Sequence, residues 1–521
     1  MRAVGLPPAE QSCERQRIRS REPVMPLVIL LVTLACLAAV SAAGQGRGQA
    51  FERLYQRHCA VCHGEGFQGT AQGNPLVGAP LVRGEGVEAI AKSIAEGAAD
   101  LGMPAWSETL GEAQIRSLAI LIAEERANAT FADFRMAPPL ELPEGITRTE
   151  RHGYRLTKVI DGLEPLPYSI APLPDGRILL TEKMRGLTVV ADGTQSELVS
   201  GAPVGNRQAF RMGPLQYGLG WILDVATHPD YAENGWIYLS FGDRCTDCGS
   251  RPESMVKLIR GRLKDGAWVD EETVYQADPE HYNPATDMAA GGRIAFDRAG
   301  HVFLSLGMKG GYEGIQDLGV PHGKVHRLHD DGRIPKGNPF ADTPGKLPSI
   351  WTYGHRSVHG LEVDLRTGEL WGTEMGPRGG DEINLLQPGE NYGWPLTSKG
   401  VHYNGRPVDG AGLGVEFDPA DLVEPVVDFT PSVAVSSFIF YEGEAFPAWR
   451  GHMLVGSLKG SDLYRFAMQD GAVAERETLI EDLARIRDIE VGPEGRIFIL
   501  LEHEAGSLIV RMDPAEPATG A

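Results

Sequence analysis

Positive charge is scarce in this 521-residue chain: 49 Lys and Arg stand against 70 Asp and Glu, for a formal charge of −21. A surface so acidic repels phosphate backbones and anionic headgroups, which argues against nucleic acid and anionic lipid partners. Cysteine is scarce too, with six in the chain. They fall into three pairs: Cys13 with Cys36, Cys59 with Cys62, and Cys245 with Cys248. No second Cys or His pair follows Cys59 and Cys62 at zinc spacing, which weighs against a zinc knuckle there. Residues 26–43 form an apolar run of about eighteen residues ending in Ala42-Ala43, with Arg15, Arg17, Arg19 and Arg21 upstream. The run reads as a secretory signal (residues 1–43) cleaved near Ala42 or Ala43. An uncleaved membrane anchor is the alternative, because eighteen residues sit at the lower limit for a span. Leu34, two residues ahead of Cys36, makes that cysteine a poor lipoprotein site. The chain is too long for one ordinary core, so two or more domains are expected.

Cys59-Ala60-Val61-Cys62-His63 is the pattern of covalent c-type haem attachment. One helical turn brings both thiols to the haem vinyl groups and sets His63 under the iron. Met103, in Leu101-Gly102-Met103-Pro104 and forty residues later, is the expected second axial ligand. Met/His ligation raises the potential. Export agrees with this centre, since c-type attachment is completed outside the bacterial cytoplasm. The predicted location is therefore the periplasm, membrane-anchored only if the apolar segment stays. In an oxidising compartment Cys245 and Cys248 predict a local disulfide. A redox pair is the weaker reading, because Gly/Asp-rich loop surrounds them rather than a helix start.

Residues 48–127 read as a small all-α cytochrome c domain. A helix enters the haem motif, residues 87–94 are amphipathic, and Glu112 to Arg126 carries Ile115, Leu118, Ala119 and Ile122 on one face. A Pro-rich stretch, Met136 to Pro143, reads as a semi-rigid linker within residues 128–152. From residue 153 to 512 the texture is β-rich, and one cadence of a turn followed by an alternating apolar strand recurs. It appears at 174–182, 234–240, 297–305, 367–374 and 493–500. Repetition at roughly fifty to seventy residues predicts an all-β six-bladed propeller, with residues 513–521 as a tail.

The propeller half resembles the soluble aldose sugar dehydrogenases that use pyrroloquinoline quinone (PQQ), within the glucose/sorbosone dehydrogenases. The resemblance rests on Leu223 to Tyr231, Tyr353-Gly354-His355-Arg356, Gly376 to Asn384 with Asn391 to Pro395, Gly456 to Gly460, and Arg485 to Asp488. It implies that Lys459, Arg485 and Arg487 bind the carboxylates of PQQ and that Arg356 approaches the quinone. It implies also that the carbonyls of Gly376 and Pro377 help hold Ca²⁺. The family's base is a histidine four residues before an arginine; here Ala289 stands at that position, in Asp287 to Arg293. Leu219 replaces a usual glutamine, with Gln216 nearby, and Ser357 replaces an asparagine. His359 and His281 are the candidate substitutes for the base.

Two functions follow. One is a periplasmic quinohaemoprotein enzyme that oxidises a sugar or alcohol on PQQ with Ca²⁺. Its electrons pass through a tethered haem c to a downstream periplasmic acceptor. The other is an electron-transfer cytochrome carrying a non-catalytic, ligand-binding propeller.

Overall fold

The computed structural model describes residues 50–515, apart from 129–133, 207–208, 213–214 and 470. The apolar segment at 26–43 lies outside the described residues. No helix among them is long and apolar enough to cross a membrane.

The first part is helical. Residues 50–58 form α1, Ala60–His63 α2, Val87–Glu96 α3 and Glu112–Arg126 α4. Phe51 and Tyr55 of α1, Val87, Ile90 and Ile94 of α3, and Ile115, Leu118 and Ile122 of α4 close one core. The long stretch between α2 and α3 has no helix or strand, as its glycines and prolines foretell. Helix α4 departs from a one-sided pattern: Ser117, Ile120 and Glu124 are also buried, so from Ser117 to Glu124 it is covered all the way round.

Six four-stranded antiparallel blades follow. Their innermost strands are Pro167–Pro172, Ile222–Thr227, Gly291–Phe296, Val358–Asp364, Val435–Phe440 and Arg485–Val491, and each contacts the next around the ring. The recurring cadence marks the second strand of a blade: Ile178–Glu182, Ile237–Cys245, His301–Leu306, Glu369–Glu374 and Ile497–Glu502. The fifth blade's copy, Met453–Ser457, is also a second strand, although its opening at Arg450-Gly451-His452 departs from the repeated turn. In the last blade the outer strand comes from the front of the propeller sequence. Gly153–Leu163 pairs with Ser507–Ala515, from Gly153 opposite Ala515 to Leu163 opposite Ser507. That pairing joins the two ends of the ring and removes an open edge. Cys245 and Cys248 are disulfide-bonded.

The connector departs from the expected spacer. Met136 is buried, and its carbonyl accepts from Glu504 N at 3.0 Å. Leu140 and Leu142 pack on the core of blades five and six, and Thr147–Arg148 adds a fifth strand beside Gly153–Leu163. Its prolines limit the segment to extended conformations, and its apolar residues then bind it along the propeller wall instead of leaving it in water.

Asp224, Glu362 and Glu490 line a cavity of about 430 Å³ with Arg293. Burial, reinforced by Asp224 and Asp488 and opposed by Arg293, pushes Glu362 up to about 8. The folded state thus holds this proton more tightly than the unfolded chain. The associated stability is complete below the ordinary value of 4.5 and is lost as pH rises towards about 8. Melting temperatures measured from pH 5 to 8 should fall for the wild type and fall less for Glu362→Gln. Parallel curves would remove Glu362 from this role.

Candidate cofactor pocket and haem centre

Helix α2 carries Cys59 at its N-cap and ends at His63. Cys59 and Cys62 are not disulfide-bonded. His63 Nδ1 lies 2.8 Å from the carbonyl of Asn74. A carbonyl only accepts, so Nδ1 holds the proton and Nε2 is left for iron, as metal-bound histidines are commonly oriented. Gly73 passes so close to Cys62 that a Cβ there would sit 2.7 Å from the Cys62 carbonyl oxygen. Met103 closes a tight loop over Ala99–Leu101, exchanging backbone hydrogen bonds of 2.8 and 3.0 Å with Ala98. The loop leaves Met103 partly buried against the helical core. Met103→Ala should lower the haem potential and open the iron to added ligands; an unchanged visible spectrum and potential would assign the axial role elsewhere.

In the propeller, a buried charged cluster forms where strands of the first and last blades meet. Glu502, at the end of its strand and fully buried, accepts from Arg485 Nε at 2.8 Å and Arg487 Nε at 2.7 Å. Lys183 Nζ lies 3.4 Å from the same carboxylate and 5.4 Å from the centre of the Trp221 ring. Burial pushes Glu502 up, but Arg487, Lys183 and Arg485 together outweigh it and hold the carboxylate below its ordinary value. Burial and the neighbouring Arg487 push Lys183 down to about 7 against the pull of Glu502. Among the described residues these three buried cations converge on the carboxylate of Glu502, an arrangement suited to receiving an anion.

Arg356 and His359 belong to the fourth blade. Arg356 Nη1 donates to the Met375 carbonyl at 2.9 Å, Nη2 to Tyr403 Oη at 3.2 Å, and its guanidinium lies 5.5 Å from the Trp394 ring centre. Its Nε is buried without a partner among the described residues. Glu374, ending its strand as Glu502 does, accepts from His355 Nδ1 at 2.9 Å and from the Arg356 backbone N–H. His359 Nε2 lies 2.9 Å from Ser357 Oγ, and His359 Nδ1 is buried without a partner among the described residues.

The surroundings of His359, the expected base, disfavour a positive charge on its ring. Burial, then Arg487, Arg293, Lys183 and Arg356, hold its pKa well below the ordinary 6.5. Imidazole among four cations is a weak proton acceptor. It is better suited to donate from Nδ1 to a buried anion while the Ser357 hydroxyl donates to Nε2. His281 faces His322 across 6.4 Å between ring centres. Ala289 ends the short turn Asp287–Ala289 and is half-buried. A Cβ on Gly307 would meet both the Ala289 and the Arg356 carbonyls, so Ala289 and Arg356 flank one glycine. Leu219 is half-buried, and its carbonyl accepts from Asn206 Nδ2 at 3.0 Å. The Gln216 side chain lies outside the described residues.

Gly376 begins a turn in which the carbonyls of Gly379 and Gly380 fold back so tightly that a Cβ on Gly376 would sit 2.3 Å from each. Among the described hydrogen bonds, none is accepted by the carbonyls of Gly376 or Pro377. Lys459 departs from the arginine pair: its Nζ lies 3.6 Å from Glu124 of helix α4 rather than beside Glu502. Lys183, Glu502 and Glu124 escaped the sequence reading. A partial signal existed for the first two, because three second strands end in glutamate at Glu182, Glu374 and Glu502, and Lys183 follows the first of these.

Residues 165–510 match the family model described as Glucose / Sorbosone dehydrogenase. The chain belongs to the glucose/sorbosone dehydrogenase family. Residues 46–122 match the model described as Cytochrome C oxidase, cbb3-type, subunit III, so a cytochrome c domain is fused ahead of this dehydrogenase-type propeller. Among similar family members is the aldose sugar dehydrogenase of Escherichia coli, 35% identical over 296 residues, covering 56% of this chain and 77% of that protein. The solved apo-form of that E. coli enzyme superposes with a TM-score of 0.60 at 32% identity, covering 70% of this chain and 100% of its own. Quinoprotein glucose dehydrogenase B of Acinetobacter calcoaceticus is 26% identical over 428 residues, 66% of this chain and 84% of that protein. Together the two halves make this glucose/sorbosone dehydrogenase relative an oxidoreductase that transfers electrons.

Proposed function

We propose that this protein is a periplasmic quinohaemoprotein that holds PQQ and Ca²⁺ at the propeller centre and passes electrons to a haem c on Cys59 and Cys62. The observation that carries the reading is the buried cluster of Lys183, Arg485 and Arg487 around the carboxylate of Glu502. PQQ carries three carboxylates, and arginine grips planar carboxylates with two prongs. The unpartnered Arg356 Nε and His359 Nδ1 are two further donors suited to the same anion. Among the described residues no group of three or more His, Cys, Asp or Glu could hold a metal. A calcium ion would therefore rest on the Gly376 and Pro377 carbonyls and on oxygens of the cofactor, which suits a hard cation.

When bound, PQQ supplies a two-electron acceptor for a sugar or alcohol. The chain's own residues do the rest. Arg485, Arg487, Lys183 and, as the resemblance implies, Lys459 fix the carboxylates, Arg356 orients the reacting end, and His359 holds a proton on Nδ1 as a donor. The weak point is the base, because Ala289 cannot accept a proton and His359 accepts one poorly. That observation favours a second reading, in which the propeller binds its ligand without turnover. Titrating the haem-loaded protein with PQQ, with and without Ca²⁺, and then adding aldoses while following haem reduction separates the two. Saturable binding followed by sugar-dependent reduction supports the enzyme; binding without reduction supports the second reading. No saturable binding in either condition rejects the cofactor assignment.

A further inference from the structure

Helix α4 is buried on its second face by the propeller. Ile120 Cδ1 lies against Gly379, and Ser117 lies against Gly405. Arg116 Nε donates to the Lys399 carbonyl at 2.6 Å. At the centre is Glu124, 1% exposed, which accepts from Arg378 Nη2 at 2.6 Å and Nε at 3.1 Å and lies 3.6 Å from Lys459 Nζ. Arg378 directly follows the proposed calcium-holding Pro377. It is a propeller residue whose cover comes from the cytochrome: Glu124, Glu52 at 3.7 Å, and the Phe51 ring with its centre 3.8 Å from the guanidinium. Both cations that hold Glu124 thus belong to the propeller, and one of them is a proposed cofactor ligand.

We propose that Glu124 couples docking of the haem domain to occupancy of the quinone pocket, serving as a counter-ion that the cytochrome lends to Lys459. The inference rests on the reading of Lys459 as a ligand of the cofactor. A largely buried lysine left unpaired is costly, and the Lys459 side chain is 12% exposed, so a carboxylate should attend it. Without cofactor that carboxylate is Glu124, and docking is at its tightest. A cofactor carboxylate arriving at Lys459 displaces Glu124 or shares the charge with it, leaving Arg378 as the main remaining grip. Because linkage is reciprocal, docking through Glu124 must weaken cofactor binding by the same factor that the cofactor weakens docking. Haem and quinone pocket are therefore held together by a contact whose strength reports occupancy, rather than meeting by diffusion on a tether.

Hydrogen exchange by mass spectrometry on the full, haem-loaded chain reads docking without any turnover, and PQQ with Ca²⁺ is the probe. In the wild type, residues 116–124 and 398–405 should be protected, and PQQ with Ca²⁺ should raise their exchange about fivefold or more. Glu124→Gln should raise it without PQQ and should bind PQQ about fivefold or more tightly than the wild type. Ser117→Arg, which wedges the helix from the turn at Gly405 and leaves Glu124 in place, should move both readouts the same way. It serves if the first variant loses its haem band. Wild-type or weaker PQQ affinity in both variants overturns the coupling, as does exchange that PQQ leaves unchanged. Lys459→Met separates this failure from failure of the cofactor reading. If that variant binds PQQ as tightly as the wild type, Lys459 is not a ligand. If it binds more weakly while Glu124→Gln has no effect, Lys459 is a ligand and the coupling alone is wrong. Absence of saturable binding in every variant rejects both.

Discussion

Ala289→His should raise the PQQ- and Ca²⁺-dependent rate of haem reduction by aldoses by about two to four orders of magnitude, the usual contribution of a positioned base. Ala289 is half-buried at the end of a short turn, and its carbonyl and that of Arg356 flank Gly307. The turn itself is held firmly by Asp287, which accepts from Gly220 N at 2.6 Å, Trp221 N at 3.0 Å, Ser254 Oγ at 2.9 Å and Lys309 Nζ at 2.7 Å. A new imidazole there would lie four residues before Arg293 and close to the Arg356 backbone. Stopped-flow absorbance of the haem band under saturating PQQ would measure the gain. The outcome that sinks this account is a wild type already fully active with common aldoses whose turnover disappears in His359→Ala. The base would then be His359 despite its lowered pKa.

Arg487→Met should weaken PQQ binding by about ten- to a hundredfold, the equivalent of about 1.5–3 kcal/mol for one charged hydrogen bond removed from a desolvated site. Arg487 is 5% exposed, so solvent screens it little. Glu502 would keep Arg485 and Lys183, which limits the damage to the fold. Arg485→Met is a less clean experiment, because Arg485 Nη1 also donates to the Phe134 carbonyl at 2.9 Å and so ties the connector to the propeller. Calorimetric titration of the haem-loaded variants, with melting curves beside it, distinguishes the two effects. Unchanged affinity in Arg487→Met with an unchanged melting temperature would place the cofactor, if it binds, away from this cluster.

Much of the architecture could be read along the chain because its signals are local. Haem attachment needs two thiols and an imidazole within five consecutive residues, so the signal for it in Cys59 to His63 can be read without help from the fold. Five of the six blades announce themselves by a turn followed by an apolar second strand. The disulfide between Cys245 and Cys248 spans three residues. What stayed hidden was nonlocal charge. Arg485 stands opposite Glu502 on neighbouring strands of the last blade, but Lys183 joins them only because ring closure brings the first and last blades side by side. No periodicity encodes which lysine meets which glutamate across 319 residues. Pro-rich composition foretold an extended connector but not that Met136, Leu140 and Leu142 would find apolar surface to bury. The same limit applies to helix α4. Its cytochrome face follows from the spacing of Ile115, Leu118 and Ile122, but Glu124 reads as a solvated charge until the propeller supplies Arg378 and Lys459. Only the packed chain reveals that a carboxylate in the haem domain neutralises a cation in the proposed quinone pocket, because burial, and not sequence neighbourhood, is what obliges a charge to find a partner.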